Sequence, residues 1–341
     1  AWLTTSAADD YYKRFPEAKK KIRELHGQIG NYFNALKASG EEVSEDVWVL
    51  WANNNPNSTN DCVDYIQELA PKNTTHYVYQ GIQKANLHPF TEAKIEIWAP
   101  EKDASVYYDM SHFMPMELGV TMANRKTEQE CNLTRVTPPS GVYSGAFYNL
   151  IKMRGCYLEN LLAIDKANNN TSVVFCLEWR GIRLLFTGDA EKASWRMIND
   201  QIKFKPVHFL KVSHHASETG IPDIDILNKF YPENKTDNVT RYAVVSTFEG
   251  AWESIPDTTT MDEIRKRCDT FYELYKEVDE GKFLDIIYKA PQQGQLVGSK
   301  NSEVYHKSSC YWAKKINSAN KISFATAQDA ENKGYRPCRC I

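Results

Sequence analysis

No stretch of this chain is apolar for the ~18 consecutive residues that a helix needs to cross a bilayer, so the sequence predicts no membrane partner. Charge of neither sign dominates. The 41 Lys and Arg against 44 Asp and Glu leave a net −3, which argues against strong unaided binding to a polyanion. The eight cysteines, at positions 62, 131, 156, 176, 268, 310, 338 and 340, fall mostly singly instead of forming a disulfide framework. That usage predicts a reducing, cytoplasmic setting. No signal peptide or transit sequence opens the chain and no Met begins it, which predicts a fragment or a processed chain. What is present is ordinary for a globular protein: 341 residues, about two domains' worth, 42% hydrophobic and 25% charged.

Histidine is scarce too, eight in all, yet two stand side by side where an apolar strand ends. Val173, Val174, Phe175 and Leu177 form a β-rich run, Arg180-Gly181 turns it, and Ile182, Leu184, Leu185 and Phe186 return as the second strand of a hairpin. Gly188 lets the backbone break there, and Asp189 follows, just before a helical stretch from Ala190 to Ile198. A second apolar strand, Val207 to Val212, runs into His214, His215, Ala216 and Ser217. Alone, Asp189 reads as a helix-capping or turn residue and a strand-end histidine as a hydrogen-bonded surface group. Two such endings in succession place a carboxylate and imidazoles on rigid, neighbouring supports, the arrangement of half a metal site.

These segments resemble the C-terminal half of a metallo-β-lactamase-fold domain, in particular the branch found in the DNA-uptake protein ComEC and its soluble relatives. That branch shows an Asn-rich turn, a hairpin ending in Thr-Gly-Asp, and Lys-Val-x-His-His-Gly-Ser. Here stand Asn168-Asn169-Asn170, Thr187-Gly188-Asp189 and Lys211-Val212-Ser213-His214-His215-Ala216-Ser217, with Ala216 in the glycine position. The resemblance implies an α/β (α+β) fold, an αββα sandwich with a di-metal hydrolytic site, holding Zn²⁺ or Mn²⁺, at one sheet edge. It also implies that Asp189 bridges the two ions and that His214 or His215 binds the second. Such a pair of ions lowers the pKa of a bridging water towards neutrality and offsets charge growing on a phosphoryl or acyl group.

The family's first motif, His-x-His/Asp-x-Asp-His, has one candidate here, Leu3-Thr4-Thr5-Ser6-Ala7-Ala8-Asp9-Asp10-Tyr11-Tyr12. In one register Ser6 and Ala8 replace the first two ligands and Tyr11 the last, leaving Asp10. One residue later, Ala7 takes the first position, Asp9 is kept and Tyr12 comes last. Either way the imidazoles are gone, and the metal set reduces to Asp9 or Asp10, Asp189, His214 and His215, with Asp189 and Asp10 as the catalytic carboxylates. His112, among Met110, Phe113 and Met114, reads as a packed side chain, and Ser254-Ile255-Pro256 stands where many relatives carry Gly-His-Pro. The fold also needs at least two strands before this motif, so the sandwich is expected to lack its first strands, supplied by a separate N-terminal fragment or a protein partner.

Along the chain, Ile22, Leu25, Ile29, Tyr32, Phe33 and Leu36 give residues 17–37 one apolar helical face. Val47 to Trp51 reads as a strand covered on both faces, Asp61 to Leu69 as a helix, and Tyr77 to Tyr79 and Ile95 to Trp98 as strands. Residues 101–165 have no clear period and read as an irregular insertion, either a substrate-covering loop or a surface elaboration. Val244 to Thr247 reads as a strand, Met261 to Tyr275 as an amphipathic helix and Phe283 to Tyr288 as a closing strand.

These features make residues 1–295 the first domain, and the character changes at 296. From Lys300 to Ile341 eight Lys and Arg face three acids, a net +5 that leaves −8 for the rest. His306 and Cys310, then Cys338 and Cys340, resemble the zinc-binding module of the Ada DNA-repair protein, with Cys340 one residue early for its Cys-x-x-Cys. A zinc-ribbon-like module this short gains much of its stability from a structural Zn²⁺. The metal-free alternative is a miniature core of Tyr305, Trp312, Ile322, Phe324 and Tyr335. Its basic surface and aromatics make nucleic acid a candidate partner. Two functions follow: a metal-dependent hydrolase, by resemblance of nucleic-acid phosphodiesters, or a degenerate domain acting as a regulatory, partner-binding subunit.

Overall fold

The computed structural model describes residues 1–39, 45–54, 56–71, 74–83, 87–108, 161–235, 237–247, 254–288, 296–324, 326–339 and 341. It shows a mixed α/β protein. Strand β1 (Trp2–Thr4) leads through a 3-10 turn into α1 (Tyr11–Arg14) and three longer helices, α2 (Pro16–Ser39), α3 (Glu45–Asn54) and α4 (Pro56–Leu69). Strand β2 (His76–Val78) then pairs in parallel with β1, Leu3 opposite Tyr77.

Six strands form the main sheet. They are β3 (Ala93–Ala99), β4 (Val174–Trp179), β5 (Ile182–Phe186), β6 (Phe209–Lys211), β7 (Tyr242–Val245) and β8 (Thr270–Glu273), in that spatial order. A helix at 161–170, α5, precedes β4. The first three strands are antiparallel and the rest parallel, joined by α6 (Lys192–Gln201), α7 (Ile224–Phe230) and α8 (Thr258–Arg265). The β4–β5 hairpin has both central residues left-handed, Arg180 at φ 49 and Gly181 at φ 84, which suits the right-handed twist of the flanking strands.

One face of this sheet carries the core. Leu185, Leu210, Ala243 and Val245 meet Trp195 and Ile198 of α6, Leu227 and Phe230 of α7 and Ile264 of α8. On the other face Phe175, Phe186 and Phe209 form a row, with centroids 4.8 and 5.3 Å apart, and Trp2 of β1 packs edge-on to Phe175 at 5.2 Å.

Three expectations give way. Val47 to Trp51 lies in helix α3, because Leu50 and Trp51 side by side pack on Ile29, Phe33 and α5 while Trp48 and Val49 stay exposed. The amphipathic run from Met261 is helical only to Arg265. Asp257 caps its start by accepting from the Thr260 amide, and Thr270–Glu273 is drawn into the ladder beside β7 before the short α9 (Leu274–Glu277). Phe283 to Tyr288 alternates as a strand should, but its inward residues Leu284, Ile286 and Tyr288 lie over the sheet's apolar face instead of pairing at an edge. Most of 101–165, including His112, lies outside the described residues.

The tail has its own sheet, β9 (Leu296–Ser299), β10 (Val304–Lys307), β11 (Lys321–Phe324) and β12 (Arg336–Pro337), in the order β11-β9-β10-β12. Helices α10 (Tyr311–Lys315) and α11 (Ala327–Asn332) complete it. Tyr305, Phe324 and Ala330 form its core with Ile322 and Tyr335 against them, whereas Trp312, expected inside, is 62% exposed. Among the described residues no helix is long and apolar enough to cross a membrane.

Candidate active-site cleft and tail metal cluster

Strands β5 and β6 are parallel neighbours, so the residues that follow them emerge at the same end of the sheet. Gly188 makes the turn after β5 at φ 55, where a Cβ would stand 2.8 Å from that of Ser172. Ser172 Oγ then accepts from the Asp189 amide at 3.0 Å. The two strand ends are tied together: Thr187 Oγ1 donates to the Lys211 carbonyl at 2.7 Å, and Ser213 Oγ to that of Ala190 at 2.6 Å.

After β6 the backbone turns left-handed at three successive non-glycine residues, His214 (φ 45), His215 (φ 52) and Ala216 (φ 63). Each such residue costs about 1–2 kcal/mol and persists only where its surroundings enforce it. The Asp257 amide binds the Ala216 carbonyl at 2.9 Å, the Ser217 amide binds that of His214 at 2.8 Å, and Gly220 presses so close that a Cβ would lie 2.6 Å from the Ser213 carbonyl oxygen.

The two imidazoles have different tasks in this turn. His215 Nδ1 faces the Ser246 carbonyl, which only accepts, so Nδ1 carries a proton and Nε2 is the ring nitrogen turned to the cleft. That Nε2 lies 3.8 Å from Asp189 Oδ1, and both side chains are about 40% exposed. His214 is more enclosed. The Asn169 amide approaches its Nε2 at 3.5 Å, while its Nδ1 faces Ser217 Oγ at 3.0 Å and the buried Glu191 carboxylate at 3.5 Å. Lys211 Nζ donates to the Gly188 carbonyl at 2.9 Å and stands 3.5 Å from Asp189; burial lowers its pKa and Asp189 opposes the shift.

These groups open on a cleft of about 1090 Å³, also lined by Ser6, Ala7, Ala8, Asp9 and Tyr12 from the first candidate motif. The two halves read from the sequence therefore meet. Asp9 lies in the cleft, but Asp10 turns away to Arg14 at 3.1 Å and does not line it. Tyr12 faces the cleft with its phenol pKa raised by burial, while Tyr11 is a core residue whose hydroxyl accepts from the Ala104 amide at 3.1 Å.

Several cleft residues carry no signal beyond the Asn-rich turn. Asn54 of α3 donates to Asp165 at 2.8 Å and accepts from Asn168 at 2.7 Å. Asn169 bridges Asp165 and Glu191, at 3.2 and 3.0 Å, so a continuous hydrogen-bonded chain runs from the helices to His214. His26 of α2 also lines the cleft; its Nδ1 is buried without a partner, and burial lowers its pKa to about 4.

Among the described residues, only one set of three donor atoms converges closely enough to hold an ion, and it lies in the tail. His306 on β10, Cys310 capping α10 and Cys338 after β12 bring their donors within 4.8 Å of one another. The Cys338 amide bonds the Tyr305 carbonyl at 2.9 Å, which fixes the parallel β10–β12 register that unites them. Burial lowers the His306 pKa and so favours the neutral, ligating imidazole. Cys340 lies outside the described residues. Two thiols and an imidazole are donor types that Zn²⁺ takes, and this set supplies three of the four that a closed tetrahedral site needs. Among the described residues the cleft brings no such three donors together; it brings Asp189 Oδ1 and His215 Nε2 to 3.8 Å. No family model, curated protein or solved structure matches the chain in comparison with known proteins.

Proposed function

We propose that the chain is a metallo-β-lactamase-type hydrolase acting on nucleic-acid phosphodiesters, with one Zn²⁺ or Mn²⁺ held by Asp189 and His215 and a structural Zn²⁺ in the tail. The observation that carries this reading is the aim of His215: Nδ1–H is spent on the Ser246 carbonyl and Nε2 is turned to Asp189 at 3.8 Å. A six-stranded sheet with helices on one face and β1–β2 against the other supports the αββα reading. When bound, the ion would supply a water of lowered pKa and offset charge on the phosphoryl oxygens.

The chain's own groups orient and hold. Glu191 and Ser217 fix the His214 ring, and the Asn169 amide reaches its Nε2, leaving His214 a positioning residue and His215 the ligand. Asp9, which lines the same cleft, would accept a hydrogen bond from a water or a substrate hydroxyl bound there. The test is cleavage of labelled single- and double-stranded DNA with added Mn²⁺. Asp189→Ala and His215→Ala are expected to abolish cleavage, and Glu191→Gln to lower it by about 10–100-fold. Cleavage that survives Asp189→Ala contradicts the proposal. One observation favours a non-catalytic, partner-binding domain instead: Lys211 Nζ already stands 3.5 Å from Asp189 and offers it a positive charge. Absence of cleavage, with no ion lost on Asp189→Ala, selects that second reading.

A further inference from the structure

The tail exposes two large aromatics on a surface that otherwise repels apolar burial. Tyr311 and Trp312, the first residues of α10, are 63% and 62% exposed, with ring centroids 5.3 Å apart at 80°. Neither belongs to the tail core of Tyr305, Phe324 and Ala330. The sequence on either side of them carries charge of one sign: between Val304 and Gln328 there is no acidic residue, and Lys307, Lys314, Lys315 and Lys321 are all exposed. Lys315 Nζ lies over the Tyr311 ring at 5.5 Å. Two of the tail's three acids have partners of their own on α11, Asp329 with Lys333 at 2.8 Å and Glu331 with the Tyr305 hydroxyl at 3.1 Å.

We infer that Tyr311, Trp312 and the lysines around them form a binding platform for single-stranded nucleic acid, held in shape by the metal cluster beside it. The exposed Trp312 ring gives an unpaired base a stacking surface, Tyr311 with Lys315 over it adds a second contact, and flanking lysines follow the phosphates; both terms tolerate any sequence. A duplex hides its base faces and can use the lysines alone. Cys310 ties the platform to the cluster, since it is at once a cluster donor and the cap of the helix that begins at Tyr311. The inference does not depend on the cleft being active.

The test is fluorescence anisotropy of an end-labelled oligothymidylate and of a duplex of equal length, titrated with the full zinc-loaded chain. The single strand is expected to bind more tightly. Trp312→Ala should weaken it by about tenfold and Trp312→Phe by much less. Lys314→Ala with Lys315→Ala should flatten the salt dependence by about two phosphate contacts. Chelation, or Cys310→Ser, should weaken binding to the level of the aromatic variant. Equal affinity for the duplex with no effect of Trp312→Ala would overturn the platform, as would equal competition by polyglutamate, which would mark a site for acidic protein. Binding that survives where cleavage fails removes the hydrolase reading and leaves this one.

Discussion

At Ala216 two costs of similar size oppose each other. Its φ of 63 strains any residue with a Cβ, yet its methyl group is fully buried in the main core. Relief of strain on Ala216→Gly, about 1–2 kcal/mol, is offset by the lost methyl, about 0.8, and by the added freedom of glycine in the unfolded chain. The variant is therefore expected to change stability by less than about 1 kcal/mol in urea unfolding, whereas Ala216→Val should cost more than about 2. His26 makes a pH-dependent prediction. Burial holds its pKa near 4 against 6.5 when unfolded, so as the pH falls from 6.5 to 4 the unfolded state takes up the proton first. Stability present above pH 6.5 should drop by about 3 kcal/mol at pH 4, and His26→Gln should flatten that slope in unfolding curves taken across this range. Asp189, His214 and His215 were legible because each follows an apolar strand within a few residues. Asn54 and Asp165 were not, since their 2.8 Å bond joins positions 111 residues apart.

The same division holds for whole elements. The β4–β5 hairpin could be read because its alternation and its Arg180-Gly181 turn are local signals that agree. The run Val47 to Trp51 misled because five apolar residues in a row suit a buried strand and a helix equally, and only its packing on α2 and α5 decides. Trp51 stacks on Phe33 at 5.1 Å, while Val49 remains exposed. A helix therefore predicts unequal neighbours: Trp51→Ala should cost about 3 kcal/mol, and Val49→Ala should stay within about 0.5, by chemical denaturation. Equal losses at the two positions would contradict the packing. Residues 283–288 show the reverse case, where the alternating pattern was real but nothing in the sequence says whether an extended segment pairs at an edge or lies across a face.

For the whole molecule, the sequence set a His- and Cys-bearing tail apart from a strand-and-helix body, and the structure gives the tail a separate sheet with three converging donors. It could not show that Asp9 reaches the cleft while Asp10 turns to Arg14, because the choice depends on how β1 and α1 are seated against the sheet. So small a tail sheet should depend on its ion. Chelation is expected to remove an early unfolding transition that Cys310→Ala also removes, with the main transition unchanged. The cleft and the tail can then be counted apart by elemental analysis of the purified, zinc-loaded chain and its variants. The account expects about two ions per chain, one lost on Cys310→Ala and the other lost independently on Asp189→Ala. A single ion, lost entirely on Cys310→Ala and untouched by Asp189→Ala, would contradict it.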